Sequence, residues 1–457
     1  MGERQIQRGR AGAYALWALS CVVASGAVSC GPATSAAGRA AQDDAPRPDV
    51  IIVAIDGLAW DQFGAFGESL GETPAFDRLL GDGVAYTRAY ATSPWAGETL
   101  TSVLSGDLPT AIPAGAGAAA LDAEGPAAPG LAEYLRHLGY RTAFAPSHPL
   151  HEPAAWQVER RPGRSSAPVP PPGFDERLVI EGQEDLTGAA ASDVAVAAVR
   201  WLRQEPGPSL LVCTLADPRP PHHLFPGTVP AADLPYEGPV RSGLSHAELL
   251  RRAPEFGPDD RARLAELHAS EVSVAELAFD HIAGAAITRR RTAPIVVLVG
   301  IRRPALGEDG RYGLLPSLAP KDLEVPLVIR FPAELDGTPG PSGRTGAAVS
   351  LADVTPTLLD ALGLEPRLDI DGRSVFPGAK APARPIAART ARARGGATLI
   401  DGDRAASAEG GGDTRPVTLH RQDPELGWVE VPDEQEDWTH IVTRLQDLLP
   451  QGSPGPR

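Results

Sequence analysis

The 457-residue sequence predicts an α/β fold: a large, mostly parallel central sheet flanked by helices, with a small C-terminal subdomain. Two observations carry that expectation. Short apolar runs alternate with longer helical patterns along most of the chain, the order that a parallel sheet with crossover helices requires. Hydrophobic residues make up 42% and charged residues 22%, the balance of a folded globular chain rather than a fibrous or disordered one.

Taken in order, residues 50–55 (VIIVAI) are rich in β-branched side chains and form the first strand. Thr73-Pro74 opens a helix. Residues 131–138 are a short helix closed by Gly139, and 141–144 the next strand. Ser192 or Asp193 is expected to cap a helix that runs to Arg203, and 210–215 follow as a buried strand. A long helix over 261–283, a central strand at 295–299, a strand at 325–331 and a helix over 352–362 complete the main unit. Residues 160–173 and 218–239 are Pro-containing, irregular excursions. Beyond Val375 the composition turns to Ala, Gly and Arg, and GATLIDGDRAASAEGGGD is expected to be partly disordered. A final helix over 438–449 suggests a small docked unit. No repeat at solenoid periods is present. The resulting segments are 1–29, 30–48, 49–377 and 378–457.

A formal net charge of -16 argues against nucleic acid as a partner, since no basic face offsets it. At the N-terminus, Arg4, Arg8 and Arg10 precede an uncharged stretch ending in Ala27-Val28-Ser29-Cys30-Gly31. This resembles a bacterial lipoprotein signal, with Cys30 the lipidated residue and GPATSAAGRAAQDDAPRP a flexible tether. Cys21, after Ala18-Leu19-Ser20, is a second candidate, and an ordinary secretory peptide or an uncleaved anchor are the alternatives. The expectation is an exported, membrane-anchored lipoprotein of the bacterial cell envelope. No later stretch is long and apolar enough to span a bilayer. Cys213, inside the apolar run 210–213, is expected to be a buried small hydrophobe rather than a reactive thiol.

DVIIVAIDGLAWDQFGAFG, TPAFDRLLGDGVAYTRAYATSPW, SVLSGDLP, LAEYLRHLGYRTAF, LLVCTLADPRPP, VVLVGIRRPALGEDG, VPLVIRFPAELDG and VSLADVTPTLLDALGLEPRLDIDGRSV follow one another along the chain. In that order they resemble the sulfatase branch of the alkaline phosphatase superfamily, from Asp49 to about Val375. The resemblance implies a formylglycine, serine or threonine nucleophile attacking sulfur or phosphorus in line. It also implies a divalent cation, usually calcium, held by carboxylates, and a histidine or lysine that binds the anion or protonates the leaving oxygen.

Carried over residue by residue, most of that set is missing. Asp56 falls on the first metal-ligand position, at the C-terminal end of a strand. Gly57 follows, where many members have a second aspartate and others threonine. The nucleophile position falls on Ala96, whose methyl can neither attack nor be oxidised to formylglycine, and the arginine four residues on falls at Leu100. The late aspartate and its histidine or asparagine neighbour fall on Ile301 and Arg302. Asp217-Pro218 is kept in the middle loop, but the histidine position is Arg219. These substitutions imply no metal cofactor, with calcium expected only if the chain is active. Two consequences stay open for the arginines. Arg302 pairs with Asp56 in place of the cation, or Arg302, Arg303 and Arg219 converge on an oxyanion.

Other motifs are weaker. Gly67-Glu68-Ser69-Leu70-Gly71 matches the hydrolase nucleophile elbow but follows a Gly-rich turn rather than a strand. Residues 115–120 mimic a dinucleotide fingerprint without a βαβ setting. His222-His223, and His148 with His151, lie in loops and are expected to be solvent-exposed rather than zinc ligands. Thr92, Ser93, Thr99 and Thr101 surround Ala96 and could supply a displaced hydroxyl. The expectation is therefore a catalytically inactive, sulfatase-like lipoprotein that binds an anionic or sulfated glycan or a protein partner. Loop 218–239 is the expected contact, and the membrane is reached through the lipid anchor. The alternative is an active sulfuric- or phosphoric-ester hydrolase with a relocated nucleophile.

Overall fold

The computed structural model describes residues 47–449, apart from 67–69, 110–129, 149–172, 181–187, 205–206, 230–235, 291, 315, 336–337, 366–369, 379–383, 391–395, 410–416, 425–426 and 433–437. Cys21, Cys30, His151, Ser69, the 115–120 motif and the signal segment 1–29 therefore lie outside the described residues, as does most of 160–173.

The elements of the first half are β1 (Val50–Asp56), α1 (Pro74–Asp82), β2 (Val84–Tyr90), α2 (Ala96–Ser105), α3 (Leu131–His137), β3 (Arg141–Ala145), β4 (Glu176–Arg177), α4 (Ala191–Leu202) and β5 (Ser209–Leu215). There follow α5 (His246–Arg252), α6 (Pro258–Arg289), β6 (Ile295–Arg302), β7 (Ala305–Leu306), β8 (Tyr312–Gly313), α7 (Pro320–Leu323), β9 (Glu324–Val325), β10 (Leu327–Arg330), β11 (Glu334–Leu335), β12 (Thr338–Pro339), β13 (Gly343–Ser350) and α8 (Val354–Ala361). The main sheet runs β13-β2-β10-β6-β1-β5-β3-β4, with β9 paired to β2. All strands of this path point the same way except β10, which is antiparallel to β2 and β6.

Strand β1 is buried along its whole length, because a two-residue side-chain period sends alternate residues to two covered faces. Val50, Ile52 and Ala54 pack with Leu100 and Val103 of α2, Leu131 and Leu135 of α3, and Leu358 of α8. Ile51, Val53 and Ile55 pack with Phe76 and Leu79 of α1, Val194 and Trp201 of α4, and Val272, Phe279 and Ile282 of α6. Cys213 is fully buried on the second face, and burial pushes its thiol pKa up, as expected of an inert small hydrophobe.

Several local expectations are corrected. Helix α4 begins two to three residues earlier than a cap at Ser192 or Asp193 allows: its N-cap is Ala190, and the first free amide, of Ala191, bonds the Asp217 carboxyl instead. The long helix extends to 258–289 because Pro258 fits its first turn and Asp260 accepts from the Gly257 amide. Strand 325–331 divides at Pro326, which cannot donate to a ladder. Within the segment expected to be partly disordered, residues 397–408 fold as a hairpin. Here β15 (Ala397–Asp401) turns at Gly402-Asp403 into β16 (Arg404–Ala408), with Gly402 at φ 66. Small alanines on both faces explain why its composition resembled a disordered stretch.

That hairpin belongs to a five-stranded antiparallel sheet ordered β14 (Ile386–Arg389), β15, β16, β17 (Val417–Asp423), β18 (Gly427–Val431). Helix α9 (Thr439–Leu448) covers one face, with Trp438, Ile441 and Leu445 against Leu399, Ala406 and Leu419. The other face, including Ile386, Ile400, Ala405 and Trp428, joins the main core.

Candidate functional site

The carboxyl ends of β1, β5 and β6 meet at Asp56. Register places Asp56 opposite Arg302 across a bulge, and the Gly57 amide donates to the Arg302 carbonyl at 3.0 Å. The Asp56 side chain is fully buried and takes a bidentate bond from Arg302, Nε to Oδ1 at 2.9 Å and Nη2 to Oδ2 at 2.6 Å. Arg219 lies on the same carboxylate, with Nε 3.4 Å from Oδ2. Charge-assisted, two-pronged bonds of this kind are the strong ones, and they consume the lone pairs a metal would need.

Arg303 does not join them. It follows Arg302 at the strand end, where neighbouring side chains point apart, and it pairs with Asp61 at 3.3 Å. Convergence of three arginines is thus corrected to two.

Ala96 and Ile301 are both buried and lie in one hydrophobic cluster with Leu100, Leu323 and Val325. Hydrocarbon therefore fills the positions that the resemblance assigns to a nucleophile and a ligand. The nearby hydroxyls have structural partners. Thr99 donates to the Ser93 carbonyl at 2.9 Å and Thr101 to the Gly97 carbonyl at 2.8 Å, while Ser93 Oγ donates to Glu98 at 2.5 Å and accepts from the Trp95 amide. Thr92 Oγ1 is buried and finds no hydrogen-bond partner among the described residues.

Gly57 has φ +97, and a Cβ there would stand 3.0 Å from the Pro218 carbonyl oxygen. A second aspartate would be strained on this backbone and would press on Pro218. With one carboxylate, two guanidiniums and an isoleucine, the residues present do not fit a hard divalent ion. Among the described residues no group of three or more His, Cys, Asp or Glu could hold a metal.

Three histidines, His222, His246 and His268, lie near one another beside this site, and only His222 stands out in the sequence. His222, expected in solvent, is buried because the excursion after β5 folds back, bridging His222 to Leu244. Its ring meets His268 edge-on with centroids 5.3 Å apart, and burial holds its pKa well below the usual value. His148 is buried as well, while half-exposed His223 pairs with Glu271 at 3.2 Å. His246 opens α5, behind the readable capping box Ser245–Glu248. Burial and the charges of Arg302 and Arg219 lower its pKa. His222 Nδ1, His246 Nε2 and Arg219 Nη1 are buried and find no hydrogen-bond partner among the described residues. Asp217 is pushed up to about 7 by burial.

Residues 48–154 match the family model described as Sulfatase. Solved structures extend the likeness over the rest of the chain. A protein bound to its substrate D-glucosamine-2-N,6-O-disulfate superposes with TM-score 0.60 at 16% identity, covering 88% of this chain and 96% of that one. This is a sulfatase fold. A 2-O GAG sulfatase shares it (TM-score 0.62, 16% identity, 88% and 91% covered), as does the phosphonate monoester hydrolase of Agrobacterium radiobacter (TM-score 0.59, 18% identity, 82% and 89% covered). Among curated relatives, N-acetylgalactosamine-6-sulfatase of Rattus norvegicus is 30% identical over 78 residues, and that of Canis lupus familiaris 31% over 75. These matches span 17% and 16% of this chain and only 15% and 14% of the relatives. Sequence likeness to the sulfatases is thus concentrated around β1 to β3, whereas the sulfatase fold continues to the C-terminal sheet.

Proposed function

We propose that this sulfatase-fold chain does not turn over sulfate or phosphate esters and acts by binding, its ligand a sulfated glycan. The observation that carries the reading is the bidentate Arg302–Asp56 pair, which puts a guanidinium where hydrolysis would need a cation. Ala96 in a hydrocarbon setting supports it, as do the bonded hydroxyls of Thr99 and Thr101. The ligand class rests on the structural neighbours, one of which holds a disulfated glucosamine, and on the unpartnered Arg219 Nη1, His222 and His246 nitrogens. Sulfate oxygens would satisfy the Arg219 guanidinium without a metal, and either histidine ring wherever the facing nitrogen carries the proton. Export and lipid anchoring at Cys30 complete the proposal, placing the domain on an envelope membrane.

Purified protein should release no sulfate or phosphate from aryl esters with calcium, magnesium, manganese or zinc, and should carry no stoichiometric metal. Glucosamine disulfate should raise its melting temperature, and Arg219→Ala should abolish that shift. Turnover proportional to protein would overturn the inactive reading. A shift unchanged in Arg219→Ala would overturn the assigned ligand contact.

A further inference from the structure

We propose that a second site, a cleft between the turn after β1, the first half of α6 and the β7–β8 turn, binds a neutral apolar ring system carrying one hydroxyl donor. None of Asp56, Ala96, Ile301 or Arg302 lines it. Its volume of about 470 Å³ lies within the range of small-molecule sites, roughly 300–1,000 Å³.

The floor is hydrocarbon. Ala265, Ala269 and Val272 fall on one face of α6, where small side chains leave room, and Leu70 and Leu306 close the sides. A flat ring system suits such walls, because burying apolar surface is the main gain.

One polar group in the floor is left for a ligand. His268 is buried, and its Nε2 donates to the Gly57 carbonyl at 2.9 Å, its sole hydrogen bond among the described residues. A carbonyl only accepts, so Nε2 carries the proton and Nδ1 presents a lone pair. Burial lowers the His268 pKa to about 4, which keeps the ring neutral near neutral pH. The other polar lining groups are engaged: Thr73 accepts from Gly64, Gln62 from Ala59 and Glu308 from Leu306, while Asp61 pairs with Arg303 and Arg261 donates to Gly307. The ligand must therefore bring a donor, and a carboxylate, which only accepts, would set its lone pairs against that of Nδ1.

2-Naphthol is a suitable probe, since its fluorescence reports transfer from water. Titration into the full-length protein should saturate at one equivalent. 2-Methoxynaphthalene, which has the ring but no donor, and anionic 2-naphthoate should each bind about tenfold more weakly or worse. Ala265→Phe, which fills the cleft from a half-exposed position, should abolish binding while unfolding at the wild-type midpoint. No saturable binding up to the solubility limit would overturn the proposal. So would equal affinity for the methoxy compound, or undiminished binding in a folded Ala265→Phe protein. The proposal stands or falls separately from sulfated-glycan binding, because Arg219→Ala should leave the naphthol titration unchanged.

Discussion

Arg302 grips Asp56 with both prongs of its guanidinium, at 2.9 and 2.6 Å, at the carboxyl end of the central strand. The amino end of the same strand is built alike. Asp49 is fully buried and takes Arg289 at 3.1 Å and Arg290 at 3.2 Å. In both places a buried carboxylate is neutralised by two arginines arriving from neighbouring elements. A structural solution at the base of the sheet thus recurs at the end where related folds perform chemistry.

Removing one partner of such a pair leaves a charge buried in low dielectric. Arg302→Met should therefore destabilise the fold by about 3–5 kcal/mol in urea unfolding, tempered by the remaining Arg219 contact. Adding Asp56→Leu should recover only part of the loss, because Arg219 then lacks its own counter-charge. A single Arg302→Met variant as stable as wild type would show the pair to be idle.

Asp217 carries a pH signature. Its pKa is raised to about 7 from an ordinary 3.8, chiefly by burial, so the folded state holds the proton more tightly than the unfolded chain. Its stabilising contribution is complete below pH 4 and is lost as pH rises towards 7. His268 runs the other way. With its pKa lowered to about 4 from 6.5, it costs stability as pH falls from about 6.5 to 4. The two slopes oppose one another in wild type. Asp217→Asn, which keeps an acceptor for the Ala191 amide, should gain stability relative to wild type across pH 4 to 7, by a few kcal/mol in total. A flat difference across that range would contradict the buried, raised carboxyl.

Gly57 is a backbone requirement, with φ +97 and Pro218 at its shoulder. Gly57→Ala should cost about 1–3 kcal/mol through strain and the close carbonyl. Gly57→Asp should cost at least as much, and calorimetry should detect no calcium binding to that variant.

Much of this was legible in the sequence, and the failures have physical causes. Strands β1, β5 and β6 announce themselves because burial on both faces leaves uninterrupted apolar runs. The Asp56–Arg302 pair was one of two outcomes the sequence left open, and β6, which runs three residues past 295–299, carries Arg302 to the carboxylate. Strands β2 and β13 gave no such signal: VAYTRAY and GRTGAAVS mix polar and small residues and are held by pairing with each other. The burial of His222 depends on a chain reversal closed at Leu244, which no local pattern encodes. His246 and His268 come from α5 and α6, elements distant in sequence from Asp56, so no local pattern joins them to it.

The C-terminal sheet tests whether the fold melts as one body. Leu445 is fully buried on the inner side of α9, against a face made largely of alanines, so the helix sits close and little can relax into a vacated space. Leu445→Ala should cost about 2–5 kcal/mol. Ile386, Ile400, Ala405 and Trp428 on the opposite face belong to the main core, so losing the helix contact should lower a single shared transition rather than release the sheet alone. Calorimetry of the variant should therefore show one peak at reduced temperature, with fluorescence and far-ultraviolet dichroism coinciding. Two separated transitions would mean that the sheet is an independent unit, and that the face carrying Ile386, Ile400 and Trp428 contributes little to holding the main core together.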